Sequence, residues 1–184
     1  MTNQLGNYSL YIALFVSIFI IFHSSNSIRS KSKNLDSKIF SAISVQSLMV
    51  LISFFTLIYA FIISDFSNAT VYNNSHTTKP LFYKISGSWG NHEGSLLLWL
   101  LVLNSFLFIF LISSKKLLIK YRLLTILFQE LIIIGFLLFI LFTSNPFLYL
   151  FPIPKQGTGL NPILQDPALA IHPPILYLGY VGTS

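Results

Sequence analysis

Four stretches of the chain are apolar on every face, with no polar side that a helix packed in water would show. Leu5 to Phe22 runs 18 residues without a charge, Ile39 to Ile63 runs 25, and Ser95 to Ile112 runs 18. Leu123 to Phe142 adds 20, interrupted by Gln129 and Glu130. At ~1.5 Å rise per residue, about 20 residues cross the ~30 Å hydrocarbon core of a bilayer. The runs are rich in Ile, Phe and Val, but a lone strand cannot satisfy its backbone in lipid, so they predict helices. The fold class is therefore all-α: a polytopic transmembrane helical bundle with four full spans.

After the fourth span the pattern breaks. Pro146, Pro152, Pro154, Pro162, Pro167, Pro173 and Pro174 punctuate the tail. Residues 143–171 cannot form one helix, because interior proline removes a donor and clashes with the preceding turn. Ile175-Leu-Tyr-Leu-Gly-Tyr-Val then opens a new apolar run, and proline in a first turn is a start signal. A fifth span is expected to begin at about Pro173 and to be cut short. The expected organisation is a four-helix membrane region over 1–142, with a loop at 64–94. A Pro-rich segment over 143–184 then leads into a truncated fifth helix.

Composition agrees with a membrane class. The chain has 184 residues, 54% hydrophobic and 9% charged, with mean hydropathy +0.73. A soluble domain carries about 25% charge, and disorder needs low hydrophobicity with high charge. There is no cysteine, which excludes disulfides, thiolate metal sites and a Cys-x-x-Cys-His haem site on this chain. The +6 net charge matters through its distribution. Arg29, Lys31, Lys33 and Lys38 lie between spans one and two, and Lys115, Lys116, Lys120 and Arg122 between spans three and four. Only Lys79, Lys84 and Lys155 lie on the other side. The positive-inside rule places the two dense clusters on the synthesis side. The N-terminus, the 64–94 loop and residues 143–184 then face the periplasm or intermembrane space. The start lacks a basic region and a small-residue cleavage site, so no removable signal peptide is expected. The basic residues form short clusters beside apolar runs, so membrane lipid is the expected surroundings and nucleic acid is not a partner.

Two outward segments carry the candidate chemistry: Trp89-Gly-Asn-His-Glu-Gly-Ser95, and Leu160 to Pro174, which ends in Ala-Ile-His-Pro-Pro. Each places a histidine at the outer mouth of a helix. Neutral imidazole is a good axial ligand for haem iron. The prolines after His172 would stiffen the backbone, and Asp166 could accept the other ring N–H. The alternative is a histidine capping a helix at the interface. His92 and Glu93 suggest a metal only faintly, since adjacent residues on a helix cannot face one ion and no His-Glu-x-x-His occurs. Glu93 suits the positive end of span three, and Trp89 and Trp99 fit interfacial anchors. Glu130 within span four must face other helices, as a carboxylate at mid-membrane costs ~2.5 kcal/mol or more unless neutral or paired. It reads either as part of a proton path or as an interhelical hydrogen-bonding group. His23 and His76 read as interface and loop residues. Asn68-Ala-Thr and Asn73-Asn-Ser match the glycosylation pattern, which three residues often do by chance.

Together these motifs become specific. Lys84-Ile-Ser-Gly-Ser-Trp-Gly-Asn-His-Glu-Gly-Ser-Leu-Leu-Leu-Trp99 resembles the signature before the third helix of the cytochrome c haem lyase component CcmF family. Gly135 to Phe147 resembles that family's fourth-helix exit. Leu160 to Gly182 resembles the segment leading into its fifth helix. The resemblance implies cytochrome c maturation by the system I route. Haem (haem b, as substrate) arrives from a chaperone on the outer face, and thioether bonds join its vinyl groups to the cysteines of an apocytochrome. It implies that His172, of His-Pro-Pro, is an axial ligand to haem iron, with Trp89, His92, Glu93 and Asp166 as weaker cofactor-site candidates. The implied partners are the haem chaperone, apocytochrome c, its thiol-reducing partner and the portion of the family carrying the Trp-rich loop. A stable bis-histidine site needs two ligands, so this stretch alone is expected neither to bind haem tightly nor to catalyse ligation. Eighteen Phe against six Ala looks like organellar coding. It places the chain in the mitochondrial inner membrane first, with the bacterial inner membrane as the alternative. The alternative function is a subunit of a proton- or solute-translocating complex centred on Glu130.

Overall fold

The computed structural model describes residues 2–31, 35 and 37–183. Lys33, invoked above for orientation, lies outside the described residues. The chain forms α1 (Thr2–Arg29), α2 (Ser37–Ile62), α3 (Ala69–Asn74), α4 (Leu81–Gly87), α5 (His92–Ser113), α6 (Ile119–Phe142) and α7 (Pro167–Gly182). Helices α1, α2, α5 and α6 are long and apolar enough to cross a membrane. They correspond to the four expected spans.

These four close into a ring in which α1 packs on α2 and α6, and α5 packs on α2 and α6. The buried stripe on each helix advances alternately by three and four residues. On α1 it is Asn3, Gly6, Leu10, Ala13, Ser17, Ile20 and Ser24. On α2 it runs Ile39, Ile43, Gln46, Val50, Ser53, Leu57 and Ala60. On α6 it is Leu123, Ile126, Glu130, Ile133, Leu137 and Ile140. A 3.5-residue repeat keeps one seam facing the neighbouring helices along the whole span. Small residues on that seam let the backbones approach closely. Phe15, Phe55, Phe128 and Phe142 instead point outward. Apolarity is therefore spread around each helix, and the inward face is distinguished by buried polar side chains such as Ser17, Gln46, Ser53 and Glu130.

The ends of the bundle are built differently. At the basic end Arg122 is buried and donates to the Leu111 carbonyl (2.9 Å) and the Ser114 hydroxyl (3.0 Å). It thereby answers one of the carbonyls in the last turn of α5, which have no donor within the helix. At the other end α2 closes on Ser64 in the left-handed region (φ 56), with Asp65 N–H reaching back to the Ala60 carbonyl at 2.9 Å. The chain from 143 to 166 then lies over the loop between α2 and α5. Leu150 N–H donates to the Ser67 carbonyl (2.8 Å), and Thr158 N–H to that of Tyr72 (2.8 Å). Gly157 passes so close that a Cβ would meet the Ser75 oxygen at 2.1 Å. Asn68, fully buried, donates to Asn3 Oδ1 (2.8 Å) and the Pro146 carbonyl (2.9 Å). That engagement removes Asn68 from the accessible surface that glycosylation requires.

Helix α7 begins six residues earlier than expected. Asp166 caps it, accepting from Ala168 N–H (2.8 Å) and Leu169 N–H (3.1 Å), and Pro167 occupies the first turn. Pro173 and Pro174 lie inside the helix and do not start it. α7 packs outside the ring against α5 and α4.

Candidate functional site

The Trp89–Ser95 motif is a tight corner between α4 and α5. Asn91 builds it from both sides. Its Nδ2 donates to the Gly87 carbonyl (2.6 Å), and its Oδ1 accepts from Gly94 N–H (2.7 Å) as the N-cap of α5. A Cβ at Gly94 would fall 1.7 Å from the Ser88 oxygen, so only glycine fits. His92 and Glu93 occupy the first turn of α5, with His92 exposed and Glu93 half-buried. The His92 ring faces Phe139, with centroids 6.3 Å apart. Glu93 is well placed for the positive helix end.

The structure brings the two candidate segments together. Trp89 Nε1 donates to the carbonyl of Ala170 at 2.8 Å. Lys79 Nζ donates to Gln165 Oε1 at 2.8 Å, which pins the approach to α7. Further along, Trp99 stacks on Tyr177 (5.3 Å, 25°) and leans on Phe136 (5.3 Å, 46°). The two tryptophans expected as interfacial anchors thus hold α7 to the bundle. Leaving the buried Ala170 carbonyl unpaired would cost ~1–3 kcal/mol.

His172 lies in the second turn of α7 and is exposed. Its ring has no hydrogen-bond partner among the described residues. Asp166 does not orient it, because that carboxylate is spent on the helix cap. His172 and His92 are thus both exposed imidazoles on helices at the capped end of the bundle, a group chemically able to ligate haem iron. Among the described residues no cluster of three or more His, Cys, Asp or Glu could hold a metal ion.

Charge on this face is modest. Lys84 Nζ donates to Ser64 Oγ (2.8 Å) and Lys155 is exposed. Asp65 accepts from Thr2 Oγ1 and Ser67 Oγ, each at 2.6 Å. Burial pushes its carboxyl up, but the hydrogen bonds from Ser67 and Thr2 outweigh burial and hold it below the ordinary carboxylate range.

Glu130 is fully buried on the seam, where it accepts from Ser17 Oγ and from Gln46 Nε2 (3.1 Å). Nearby on the same kind of seam, Ser47 Oγ donates to Asn104 Oδ1 at 2.6 Å. Sequence reading singled out Glu130 but missed Ser17, Gln46, Ser47 and Asn104. Their signal was a polar residue recurring at three-four spacing inside an apolar run.

Comparison with known proteins gives one family. The profile of the family described as Cytochrome C assembly protein matches residues 89–184. The cytochrome c-type biogenesis protein CycK of Rhizobium meliloti (strain 1021) is 45% identical over 184 residues, covering 100% of this chain and 27% of the relative. The cytochrome c-type biogenesis protein ccl1 of Rhodobacter capsulatus is 52% identical over 136 residues, covering 74% of this chain and 21% of the relative. Among solved structures, one titled Cytochrome c Heme Lyase CcmF superposes with TM-score 0.83 at 25% identity. It covers 99% of this chain and 28% of that one. The chain thus spans only about a quarter of the length of these relatives. The matches concern cytochrome c biogenesis, which replaces the transport alternative built on Glu130. Glu130 joins α1, α2 and α6 through one carboxylate oxygen, Oε2.

Proposed function

Because the chain belongs to the cytochrome c assembly protein family, we propose that it forms the haem-accepting N-terminal portion of a cytochrome c haem lyase. Residues 1–142 anchor the assembly in the membrane, and residues 143–183 present His172 on the outer face. Haem, delivered by a chaperone, is the substrate. His172 takes one axial position on its iron and holds the porphyrin while the vinyl groups receive the cysteines of an apocytochrome kept reduced by a thiol-reducing partner. The second ligand comes from the part of the lyase that this stretch does not span. The orientation rests on charge. Arg29, Lys31, Lys38, Lys115, Lys116, Lys120 and Arg122 gather at one end, against Lys79, Lys84 and Lys155 at the other, and the denser end faces the synthesis side. The same orientation holds in a bacterial or a mitochondrial inner membrane.

The observation that carries this reading is the exposed, unpartnered His172 on α7, inside the stretch that matches the family profile. The test is H172A in the assembled lyase, expressed with a Cys-x-x-Cys-His apocytochrome. Covalent haem on the apocytochrome is expected to be lost, and the absorbance of the lyase-bound haem to change. Normal covalent haem with unchanged absorbance would show that His172 is not a ligand.

A further inference from the structure

Pro173 and Pro174 sit in the interior of α7. A helical residue normally gives its N–H to the carbonyl four positions earlier, and proline has none to give. The carbonyls of Leu169 and Ala170 therefore lose their usual donors. Ala170 is 3% exposed, so solvent is a poor replacement there. The donor that does arrive is the indole of Trp89, 2.8 Å from the Ala170 oxygen. It comes from the α4–α5 corner and not from α7.

His172 lies two residues beyond Ala170, on the same stretch of backbone. No side chain holds its ring among the described residues, so the direction of the imidazole is set by the backbone under it. The far half of α7 has an anchor of its own, in Tyr177 against Trp99. The near half relies on the Asp166 cap and on Trp89. We propose that Trp89 is a positioning residue for His172: its indole N–H stands in for the one Pro174 lacks and fixes the turn on which the imidazole rides. The inference rests on the reading of His172 as a haem ligand.

Trp89→Phe keeps an aromatic ring and removes only the donor. Pro174→Ala gives α7 back an ordinary N–H aimed at the Ala170 carbonyl. In the assembled, haem-loaded lyase, W89F is expected to reduce the low-spin, histidine-ligated fraction of outer-face haem about five- to tenfold, the factor one neutral hydrogen bond commands. The readout is electron paramagnetic resonance, normalised to accumulated protein. P174A alone should match the parent, and W89F/P174A should recover most of the loss. A W89F spectrum identical to the parent overturns the proposal, as does a double variant no better than W89F. Loss of loading in P174A alone also overturns it, since the proline would then matter for more than its missing donor. H172A run in parallel separates the two ideas. An unchanged spectrum there defeats the ligand reading. A lost low-spin signal in H172A beside an intact one in W89F defeats only the positioning.

Discussion

The seam of the four-helix ring and the cap over its outer end handle polar groups in opposite ways. On the seam, polarity turns inward: Glu130 meets Ser17 and Gln46, and Asn104 meets Ser47. Each contact spans two helices, so these groups fix which helices are neighbours. On the cap, backbone groups pair with one another across loops, as Leu150 does with Ser67 and Thr158 with Tyr72. The pairing leaves the His172 imidazole unengaged. Side chains on the seam join helices, whereas the cap combines backbone pairs across loops with side-chain bridges, such as Asn68 to Asn3 and Pro146, and leaves the His172 ring out of both. Seam variants should therefore change stability first, and cap variants should change haem chemistry first.

The hardest break combines both. Gly94→Ala drives a Cβ into the Ser88 carbonyl, and the backbone must move because no flexible side chain can yield. Overpacking of this kind costs ~3 kcal/mol. It also displaces Trp89, so thermal unfolding in detergent, followed by tryptophan fluorescence, should fall together with haem loading. Next comes Glu130→Leu, which leaves the Ser17 and Gln46 donors buried without an acceptor at a cost of ~1–3 kcal/mol. Glu130→Gln keeps an acceptor oxygen and should lose less than half as much in the same assay. An E130L protein as stable as E130Q would mean the seam does not depend on that oxygen.

The mildest test is pH. Asp65 is held below its ordinary range in the folded protein, so its contribution is complete above the unfolded value of ~3.9. It is lost as pH falls through the folded value. Protection from hydrogen exchange at Ser67, Ala69 and Leu150, taken relative to the intrinsic rate at each pH, should stay flat from neutral pH down to about 5 and fall below about 4. Asp65→Asn should remove that dependence.

The spans were plain in the sequence because charge-free runs of this length have few other solutions in lipid. The seam was legible in principle, since Ser17 and Ser24, or Gln46 and Ser53, repeat at helical spacing. Apolar residues all around the helix mask it, because the informative positions are the polar minority. The start of α7 was misplaced because Pro173-Pro174 looked like a helix start. The true signal was Asp166-Pro167, a capping acid followed by proline in the first turn. The donor that Pro174 lacks at the Ala170 carbonyl comes from Trp89, 81 residues away in the chain. No local rule contains that fact. Asp166 is taken by its own helix cap, through local bonds from Ala168 and Leu169, and so does not reach the histidine.

Gly157 crossing hard against the Ser75 carbonyl has a mechanical meaning. The connection leaving α6 is strapped across the top of the α2–α5 loop before it reaches α7. The helix bearing the imidazole therefore takes its reference from the far side of the barrel of spans. A shift of the corner before α5 would be passed through the Trp89–Ala170 bond to the turn that carries the His172 imidazole.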